Sequence, residues 1–510
     1  MRRGLFAIVG ALLITAVMAS PAGGSNSATP SDRVAAVDQY LVEQMAAQHI
    51  PGLAVAITQG QQVVHVAGFG HDSAGNPVTE STLFQVASLS KSFTALAVLQ
   101  LVDEGLLRLE DTVVSHLPEF QLADPRGSLI TVRQLLTQTS GLADSTNPDF
   151  SKSQPSSLAE AIESMRDSHL AADPGTRWSY HNPNYQIAAR LVEVVSGEPF
   201  GDYIRRHIFE PAGMSSSVTE TTNTDAIPGL ADGHIVVFGM PVPAAALGTF
   251  VEGSGGVVST AADMAQWLIV NANDGRAANG AELVSPEGFR QWHTPGSPSG
   301  YALGWFTAGP ADAPTQLDHT GNQMTYGAAQ VLIPGQDLGV ALLFNSSSIF
   351  QSDQTAIRRG VLAILRGEPA PSTTSGLPSW AVDALLGAIS IAALILGALA
   401  VIRSARWARH HRGKRVRLVL GLLPSLALVA LVALVPLLAS LLYDGRNVTW
   451  IGVFYGWPAL AIAGGVAGSA AVLTLAARVW NVVRSGSWTR SPANPAASSA
   501  GTERADVSVS

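Results

Sequence analysis

The chain has 510 residues, carries a net charge of −8, and contains no cysteine, which excludes disulfides, thiolate metal sites and a cysteine nucleophile. Residues 31–370 carry 34 acidic and 16 basic side chains, whereas residues 371–510 carry 4 acidic and 12 basic ones. The acidic first region argues against nucleic acid as a partner, and the apolar, basic second region indicates the lipid bilayer as one.

Residues 1–22 are typical of a secretory signal peptide. Arg2 and Arg3 precede an apolar run that ends at Val17, and small residues follow up to Ala22. An uncleaved signal anchor is the alternative. In both cases we expect residues 31–368, a predicted globular domain, to lie outside the cytoplasm.

The predicted domain has strands at both ends and helices between them. The apolar patterns predict a β-hairpin (52–58 and 62–68), helices from Ser88 to near Gly105 and over 184–195, strands at 302–306, 329–333 and 338–344, and a last helix at 354–365. We therefore expect an α+β fold. One antiparallel sheet is built from both ends of the domain, flanked by helices, with a mostly helical insertion.

A predicted linker at 369–380, rich in Pro, Ser and Thr, leads into three long uncharged runs. They occupy 384–402, 418–443 and 450–477, and each reaches the ~20 residues that cross a bilayer as a helix. With its lead-in, the first predicted span is 381–402, and the membrane region as a whole is 381–480. Pro424, Pro436 and Pro458 are expected to kink these helices without ending them.

The basic residues predict the orientation of the spans. Seven Lys and Arg side chains lie between the first and second runs, and only Arg446 lies between the second and third. The first of these loops is therefore expected to be cytoplasmic. Residues 481–510 are predicted to be a disordered cytoplasmic tail.

Lysine is scarce in the chain, with only Lys91, Lys152 and Lys414 against 27 arginines. A desolvated lysine can lose its proton, whereas an arginine effectively cannot. Lys91 follows Ser88 by three residues, a spacing that puts both side chains on one helix face, about 5–6 Å apart at Cβ. A neutral Lys91 could activate the Ser88 hydroxyl. The ordinary alternative is a chance pairing; Lys152 follows Asp149 at the same spacing.

Two further polar segments are candidates for a site. In the first, Tyr180 could act as a general base if cations lower its pKa, and Asn182 could orient a neighbouring group; the alternative is a loop of turn-forming residues. In the second, His319 offers a donor or a cation near neutral pH, and Gly321 allows a ligand to approach the backbone. The alternative there, favoured for this segment alone, is a polar connection between strands with His319 solvated.

Together these segments resemble a known family. Ser88-x-x-Lys91, Tyr180-x-Asn182 and His319-Thr320-Gly321 are similar, in order, to the three motifs of penicillin-recognising serine enzymes. The branch is that of class C β-lactamases, serine DD-peptidases and related esterases. The resemblance covers most of 31–366 and has supporting stretches at 51–56, 135–142, 210–214 and 255–260. Two positions depart from the pattern: Gln138, where the family usually has His, and Asn322, where Gly is common.

The resemblance implies the roles of the residues. Ser88 would form an acyl-enzyme, Lys91 with Tyr180 would transfer the proton, and the backbone N–H groups of Ser88 and Asn322 would form the oxyanion hole. Asn182, His319, Thr320, Gly321 and Asn322 would bind the substrate. The implied substrate is a small molecule or a peptidoglycan peptide: a D-alanyl peptide, a β-lactam or an ester. The resemblance implies no metal and no cofactor.

Two other interpretations differ in class. A Ser-His-Asp triad on an α/β-hydrolase fold would need G-x-S-x-G, and residues 252–256 come closest without matching it. A non-catalytic receptor for cell-wall fragments is the second. The intact motifs count against that receptor, but the three predicted spans leave it open, since one span is enough for anchoring.

Overall fold

A computed structural model of the chain describes residues 29–149, 153–297, 299–347, 352–371, 379–412, 414–442 and 446–485. The predicted signal peptide lies outside the described residues. So do most of the predicted linker and the predicted tail beyond residue 485.

The described strands form a large sheet, a small sheet and a hairpin. Their bounds are β1 (Gly52–Gln59), β2 (Gln62–Gly70), β3 (Phe84–Gln85), β4 (Val218–Thr219), β5 (Gly233–Val237), β6 (Met240–Ala244), β7 (Val257–Ser259), β8 (Phe306–Ala308), β9 (Gln316–Asn322), β10 (Gly327–Ile333) and β11 (Leu338–Phe344). The large sheet has the order β2-β1-β11-β10-β9-β8 and is antiparallel throughout. The first strand in the chain thus pairs with the last one, which confirms the predicted sheet.

The helices lie between and around these strands, and then form the C-terminal region. Their bounds are α1 (Pro30–Gln48), α2 (Ser90–Asp103), α3 (Val113–His116), α4 (Val132–Leu136), α5 (Leu158–Glu163), α6 (Pro183–Ser196), α7 (Phe200–Ile204), α8 (Glu210–Ala212), α9 (Ala261–Ala272), α10 (Pro286–His293), α11 (Ser352–Leu365), α12 (Ser379–His410), α13 (Arg415–Ala433), α14 (Val435–Leu442), α15 (Trp450–Gly456) and α16 (Pro458–Arg484).

The large sheet separates two apolar cores because its side chains alternate between faces. On one face, Leu53 and Val55 of β1 pack with α1 and α11. On the other face, Ala54 and Ala56 belong to a larger core that includes α2, α6 and α9. The small side chains on this second face allow α9 to lie close against β1 and β11.

Two sequence predictions about the domain are corrected by local geometry. The strand predicted at 302–306 begins only at Phe306, because Gly304 has a φ of 84° and turns the chain between Tyr301 and Phe306. The helix predicted from Ser88 begins as α2 at Ser90, and Ser88 lies in a preceding 3₁₀ turn, Ala87–Leu89. The hairpin β1–β2, the helix α6 and the last helix α11 are confirmed.

The C-terminal region contains three helices that are long and apolar enough to cross a membrane: Trp380–His410, Arg415–Ala433 and Pro458–Arg484. Pro424 lies within α13, as expected. Near Pro436 and Pro458, however, one helix ends and another begins, because proline lacks the N–H that continues the hydrogen-bond pattern. The helix α16 continues to Arg484, beyond the run ending at 477.

Candidate active site

Ser88 is held in a strained turn at the start of α2. The preceding residue, Ala87, has a φ of 51°, a left-handed conformation that costs a non-glycine residue roughly 1–2 kcal/mol. The buried Ser90 hydroxyl holds this turn by donating to the Ala87 carbonyl (2.6 Å) and accepting from the Val257 N–H (2.9 Å). Ser88 is half-buried and lines a cleft of about 470 Å³.

Lys91 lies directly behind Ser88 and is completely buried. Its Nζ is 3.1 Å from Ser88 Oγ, 2.9 Å from Asn182 Oδ1 and 2.6 Å from the Ser254 carbonyl oxygen. Burial and the nearby Arg446 charge lower the pKa of Lys91 well below its usual value, although the Asp149 carboxylate opposes this shift. The neutral amine is therefore favoured, which is the form that can accept a proton.

The second motif joins this group from the start of α6. The Asn182 side chain accepts a hydrogen bond from Lys91 through Oδ1 and donates one from Nδ2 to Asp149 Oδ2 (2.8 Å). These two bonds define which end of the amide faces the lysine. Tyr180 lines the same cleft, and the Lys91 Nζ lies 4.9 Å from the centre of its ring. The predicted association of the two motifs is therefore present.

His319 belongs to strand β9, and its environment differs from the favoured sequence interpretation. It is buried rather than solvated, and it lies within a strand rather than in a connection between strands. Its Nδ1 donates to the Thr320 carbonyl (2.7 Å), so its Nε2 accepts from the Tyr301 hydroxyl (3.2 Å). Burial is the main cause that lowers the pKa of His319 to about 3. The lowered pKa favours the neutral ring near neutral pH, so of the two roles that the sequence offered, donor or cation, the cation is disfavoured.

Gly321 brings β9 against the turn that holds Ser88. A Cβ atom at position 321 would collide with the Val86 carbonyl oxygen and lie 3.2 Å from the Ser88 nitrogen. The glycine therefore permits close approach of the protein's own backbone, where the sequence had indicated a ligand. Thr320 and Asn322, on either side, line the cleft together with Ser88.

Several residues at the cleft were not identified from the sequence. Asp144 and Arg446 line it, and Asp149 and His181 stand behind it. Burial would raise the pKa of Asp144, but Arg446 and a 2.6 Å bond to His181 Nδ1 together lower it to about 2. His181 is the variable position between Tyr180 and Asn182, Asp149 was noted only beside Lys152, and Arg446 was noted only for the orientation of the membrane helices.

Gln138, the departure from the family pattern, has a structural role behind the second motif. Its Oε1 accepts hydrogen bonds from the His181 N–H (3.1 Å) and from Asn184 Nδ2 (2.6 Å). It thereby ties the start of α6 to the segment after α4.

Among the described residues, no cluster of three or more His, Asp or Glu side chains could hold a metal ion.

The chain is similar in sequence to proteins of one known family. Residues 37–364 match the profile of the family described as Beta-lactamase. Protein flp of Staphylococcus aureus (strain MW2) is 28% identical over 328 residues, which cover 61% of this chain and 63% of that protein. Penicillin-binding protein 4 of Amycolatopsis lactamdurans is 32% identical over 243 residues, covering 46% of this chain and 63% of that protein. The chain thus spans less than two thirds of the length of these relatives.

Solved structures show the same fold. An octameric penicillin-binding protein homologue from Pyrococcus abyssi has a TM-score of 0.58 and 28% identity, covering 67% of this chain and 79% of that one. EstCE1, a hydrolase with promiscuous acyltransferase activity, has a TM-score of 0.55 at 20% identity, covering 66% of this chain and 98% of that one, and shows the fold alone. The chain belongs to the beta-lactamase family.

Proposed function

We propose that this protein is an extracytoplasmic, membrane-anchored serine hydrolase that forms an acyl-enzyme on Ser88. Its substrates are amide or ester carbonyls, as in a D-alanyl peptide, a β-lactam or an ester. The observation that carries the proposal is the contact between Ser88 Oγ and the buried Lys91 Nζ, 3.1 Å apart, with the lysine pKa lowered well below its usual value. A neutral amine within hydrogen-bond distance of a hydroxyl is what general-base activation of a serine requires.

Acylation begins when Ser88 Oγ attacks the substrate carbonyl carbon and its proton moves to Lys91 Nζ. The carbonyl oxygen becomes an anion, which the N–H groups of Ser88 and Asn322 stabilise, each donor contributing on the order of 3 kcal/mol. Collapse of this intermediate breaks the bond to the leaving group, which takes its proton from Lys91 or through Tyr180. Water then attacks the acyl-enzyme by the same proton transfers in reverse, releasing the acid and free Ser88.

The remaining cleft residues bind and orient the substrate. Thr320 lines the cleft together with Ser88, and Asn182 accepts a hydrogen bond from the lysine. His319 is neutral, so it contributes hydrogen bonding and shape rather than charge toward a substrate carboxylate. Arg177, which is exposed at the rim of the cleft, supplies positive charge there.

The membrane arrangement is part of the same proposal. Residues 1–22 would direct export, 31–368 would form the extracytoplasmic domain, 369–380 the linker, 381–480 the membrane region and 481–510 the cytoplasmic tail. Two observations support this orientation. The seven basic residues between the first and second runs favour a cytoplasmic first loop, and Arg446, between the second and third, contacts the catalytic domain. Both observations are consistent with the same orientation, in which the domain and Arg446 lie outside the cytoplasm and the first loop lies inside.

Covalent labelling tests the proposal. The full chain, purified in detergent, is treated with a fluorophosphonate and separately with a labelled β-lactam. We expect labelling of the wild type, no labelling of Ser88→Ala, and normal labelling of Ser128→Ala. Ser128 is a suitable control because it also lies in a 3₁₀ turn, Pro125–Leu129, but has no lysine three residues later.

The same preparation distinguishes the alternatives. Equal labelling of Ser88→Ala, or none in the wild type, contradicts the nucleophile assignment. Permanent β-lactam labelling without turnover of any substrate favours the non-catalytic receptor. Parallel assays with a D-Ala-D-Ala peptide, nitrocefin and p-nitrophenyl esters then identify the substrate class.

A further inference from the structure

One side chain at the cleft comes from outside the family domain. Arg446 lies between α14 and α15, far beyond residue 364, where the match to the family ends. Its Nε is 3.4 Å from Asp144 Oδ2 and its Nη2 is 3.5 Å from Asp149 Oδ2. The next backbone N–H, of Asn447, donates to the same Asp144 oxygen at 3.2 Å.

These three charged side chains are well shielded from water. The exposed fractions are 15% for Arg446, 3% for Asp144 and 9% for Asp149. Two carboxylates this close repel each other, and a buried charge is tolerated only when it is paired. The guanidinium, which contacts both carboxylates, supplies the compensating charge.

A chain of contacts leads from Arg446 to the nucleophile. Arg446 contacts Asp149, Asp149 accepts the hydrogen bond of Asn182 Nδ2 (2.8 Å), and Asn182 Oδ1 accepts that of Lys91 (2.9 Å). The last contact joins Lys91 to Ser88 at 3.1 Å. Displacement of Asp149 would remove one of these two bonds of the Asn182 amide, and only the bond from Lys91 would then hold the amide oxygen toward the lysine.

Other contacts hold the membrane region in this position. The Tyr455 hydroxyl of α15 donates to the Ala245 carbonyl (2.9 Å), just after β6. A Cβ atom at Gly387 of α12 would lie 3.6 Å from the Phe238 ring, in the turn between β5 and β6. The domain and the membrane region thus contact each other in two places. The hairpin β5–β6 faces α12 and α15, and the two carboxylates face residues 446–449, the Arg446 loop.

We propose that Arg446, supplied by the membrane region, is a positioning residue of the active site. It holds Asp149 as the acceptor for the Asn182 amide, and through that amide it aligns Lys91 with Ser88. The membrane region is then more than an anchor, because the site is complete only when this loop is docked. The inference rests on the proposed hydrolase function, since its readout is acylation of Ser88.

A double-mutant cycle tests this role in the full chain, reconstituted in lipid nanodiscs. The rate of Ser88 labelling by a fluorophosphonate is measured for wild type, Arg446→Gln, Asp149→Asn and the double variant. We expect each single variant to label at least tenfold more slowly and the double variant to be no slower than the slower single one, because both changes break the same chain of contacts. Arg446→Lys, which keeps the charge, is expected to recover part of the rate.

The control is an arginine of the same region that is remote from the cleft. Arg478 donates to the Gly421 carbonyl and packs over Trp407, so Arg478→Gln perturbs the membrane region without touching the site. We expect Arg478→Gln to label at the wild-type rate. Multiplicative losses in the double variant, an unaffected Arg446→Gln or an equally slow Arg478→Gln would each overturn the positioning role.

Docking of the loop is measured separately from activity. The chain contains no cysteine, so Ser145→Cys, next to Asp144 in the sequence, and Asn447→Cys, whose backbone N–H donates to Asp144, give one defined pair across the contact. We expect a short bismaleimide to cross-link this pair in membranes. It is not expected to link Ser145→Cys with Ser485→Cys, which lies at the other end of α16, about 40 Å along the helix.

The outcomes separate this inference from the proposed function. No labelling of the wild type contradicts the hydrolase itself and removes the positioning role with it, while the cross-link still reports whether the loop is docked. Normal labelling together with no cross-link overturns the docking, and leaves the hydrolase standing.

Discussion

The beta-lactamase-family domain and the proposed membrane region distribute apolar side chains in opposite ways. In the domain, large apolar side chains such as Trp267, Trp292 and Trp305 are completely buried in the core. In the membrane region, Leu396 and Leu441 point outward and are more than half exposed. A protein in water does not expose long continuous apolar faces. The difference teaches that the two regions suit different solvents, the first water and the second, as we propose, the hydrocarbon of a membrane.

The two regions also differ in how they use charge. The domain buries Lys91 and Asp149 at the site, where their pKa values are displaced by burial. The three candidate spans bury no such pair among their described residues, and their charges lie mainly near the helix ends. The regions meet where Arg446 faces two carboxylates. This part of the contact is polar, whereas Gly387 and Phe238 supply an apolar part.

The largest expected effect concerns the lysine that the domain buries. Lys91→Arg keeps the positive charge but cannot release a proton near neutral pH, so we expect hydrolysis to fall by about 10²–10⁴-fold. In the wild type, activity is expected to rise with pH through the lowered pKa of Lys91, far below its usual 10.5. Lys414→Arg, in the loop before α13, is the matched control and is expected to remain fully active. Full activity of Lys91→Arg would exclude Lys91 as the base.

The same substitution in each region tests the difference in solvent directly. Leu396, in the middle of α12, is 65% exposed, and Leu106 of the domain is 50% exposed. An arginine in the middle of a membrane span makes the free energy of insertion less favourable by about 2.5–3.5 kcal/mol. A substitution on an exposed surface changes the free energy of unfolding by no more than about 0.5 kcal/mol. We therefore expect Leu396→Arg to reduce the membrane-integrated fraction after carbonate extraction, and Leu106→Arg to leave it unchanged. Equal behaviour would mean that α12 does not face lipid.

A smaller effect is expected where β9 meets the Ser88 turn. In Gly321→Ala the new methyl group must displace β9 from Val86 and Ser88, which moves the oxyanion donors apart. A misplacement of about 1 Å can cost on the order of 10²-fold in rate, so we expect a loss of about 10–100-fold in Ser88 acylation. Gly335→Ala, after β10, has no heavy atom within 4 Å of its new Cβ and is the control. Unchanged acylation in Gly321→Ala would show that the turn tolerates the shift.

The smallest predicted effect is a pH dependence of stability within the domain. Glu220 is buried, and this burial raises its pKa to about 8, although hydrogen bonds from Gln85 and Gln323 act to lower the pKa. The folded state therefore binds a proton that the unfolded state releases near pH 4.5, so stability decreases as pH rises from about 4.5 to 8.

Thermal unfolding followed by tryptophan fluorescence measures this dependence. We expect Glu220→Gln to reduce the decline in Tm between pH 5 and 8 by roughly a few °C. Burial raises the pKa of Glu252 to about 7, so we expect part of the decline in Tm with pH to remain in this variant. Glu43→Gln, on the exposed side of α1, is the control. An identical slope in Glu220→Gln would show that Glu220 does not titrate in this range.

Much of the fold and part of the site could be predicted because they depend on local patterns. Alternating apolar residues predicted the β1–β2 hairpin, and helical spacing predicted α6 and α11. Long uncharged runs predicted the three membrane-type helices. Ser88 and Lys91 were identifiable because one helical turn separates them, and the other motifs because their order resembles that of a family.

Tertiary structure alone decided the surroundings of these motifs. His319 is buried, which lowers its pKa, Gly321 faces the Ser88 turn, and Asp149 accepts a hydrogen bond from Asn182. Arg446 reaches Asp144 across 302 residues of sequence. Local patterns report which residues share a helix face or a strand, whereas the pKa and partner of a buried group depend on whatever distant segments pack around it.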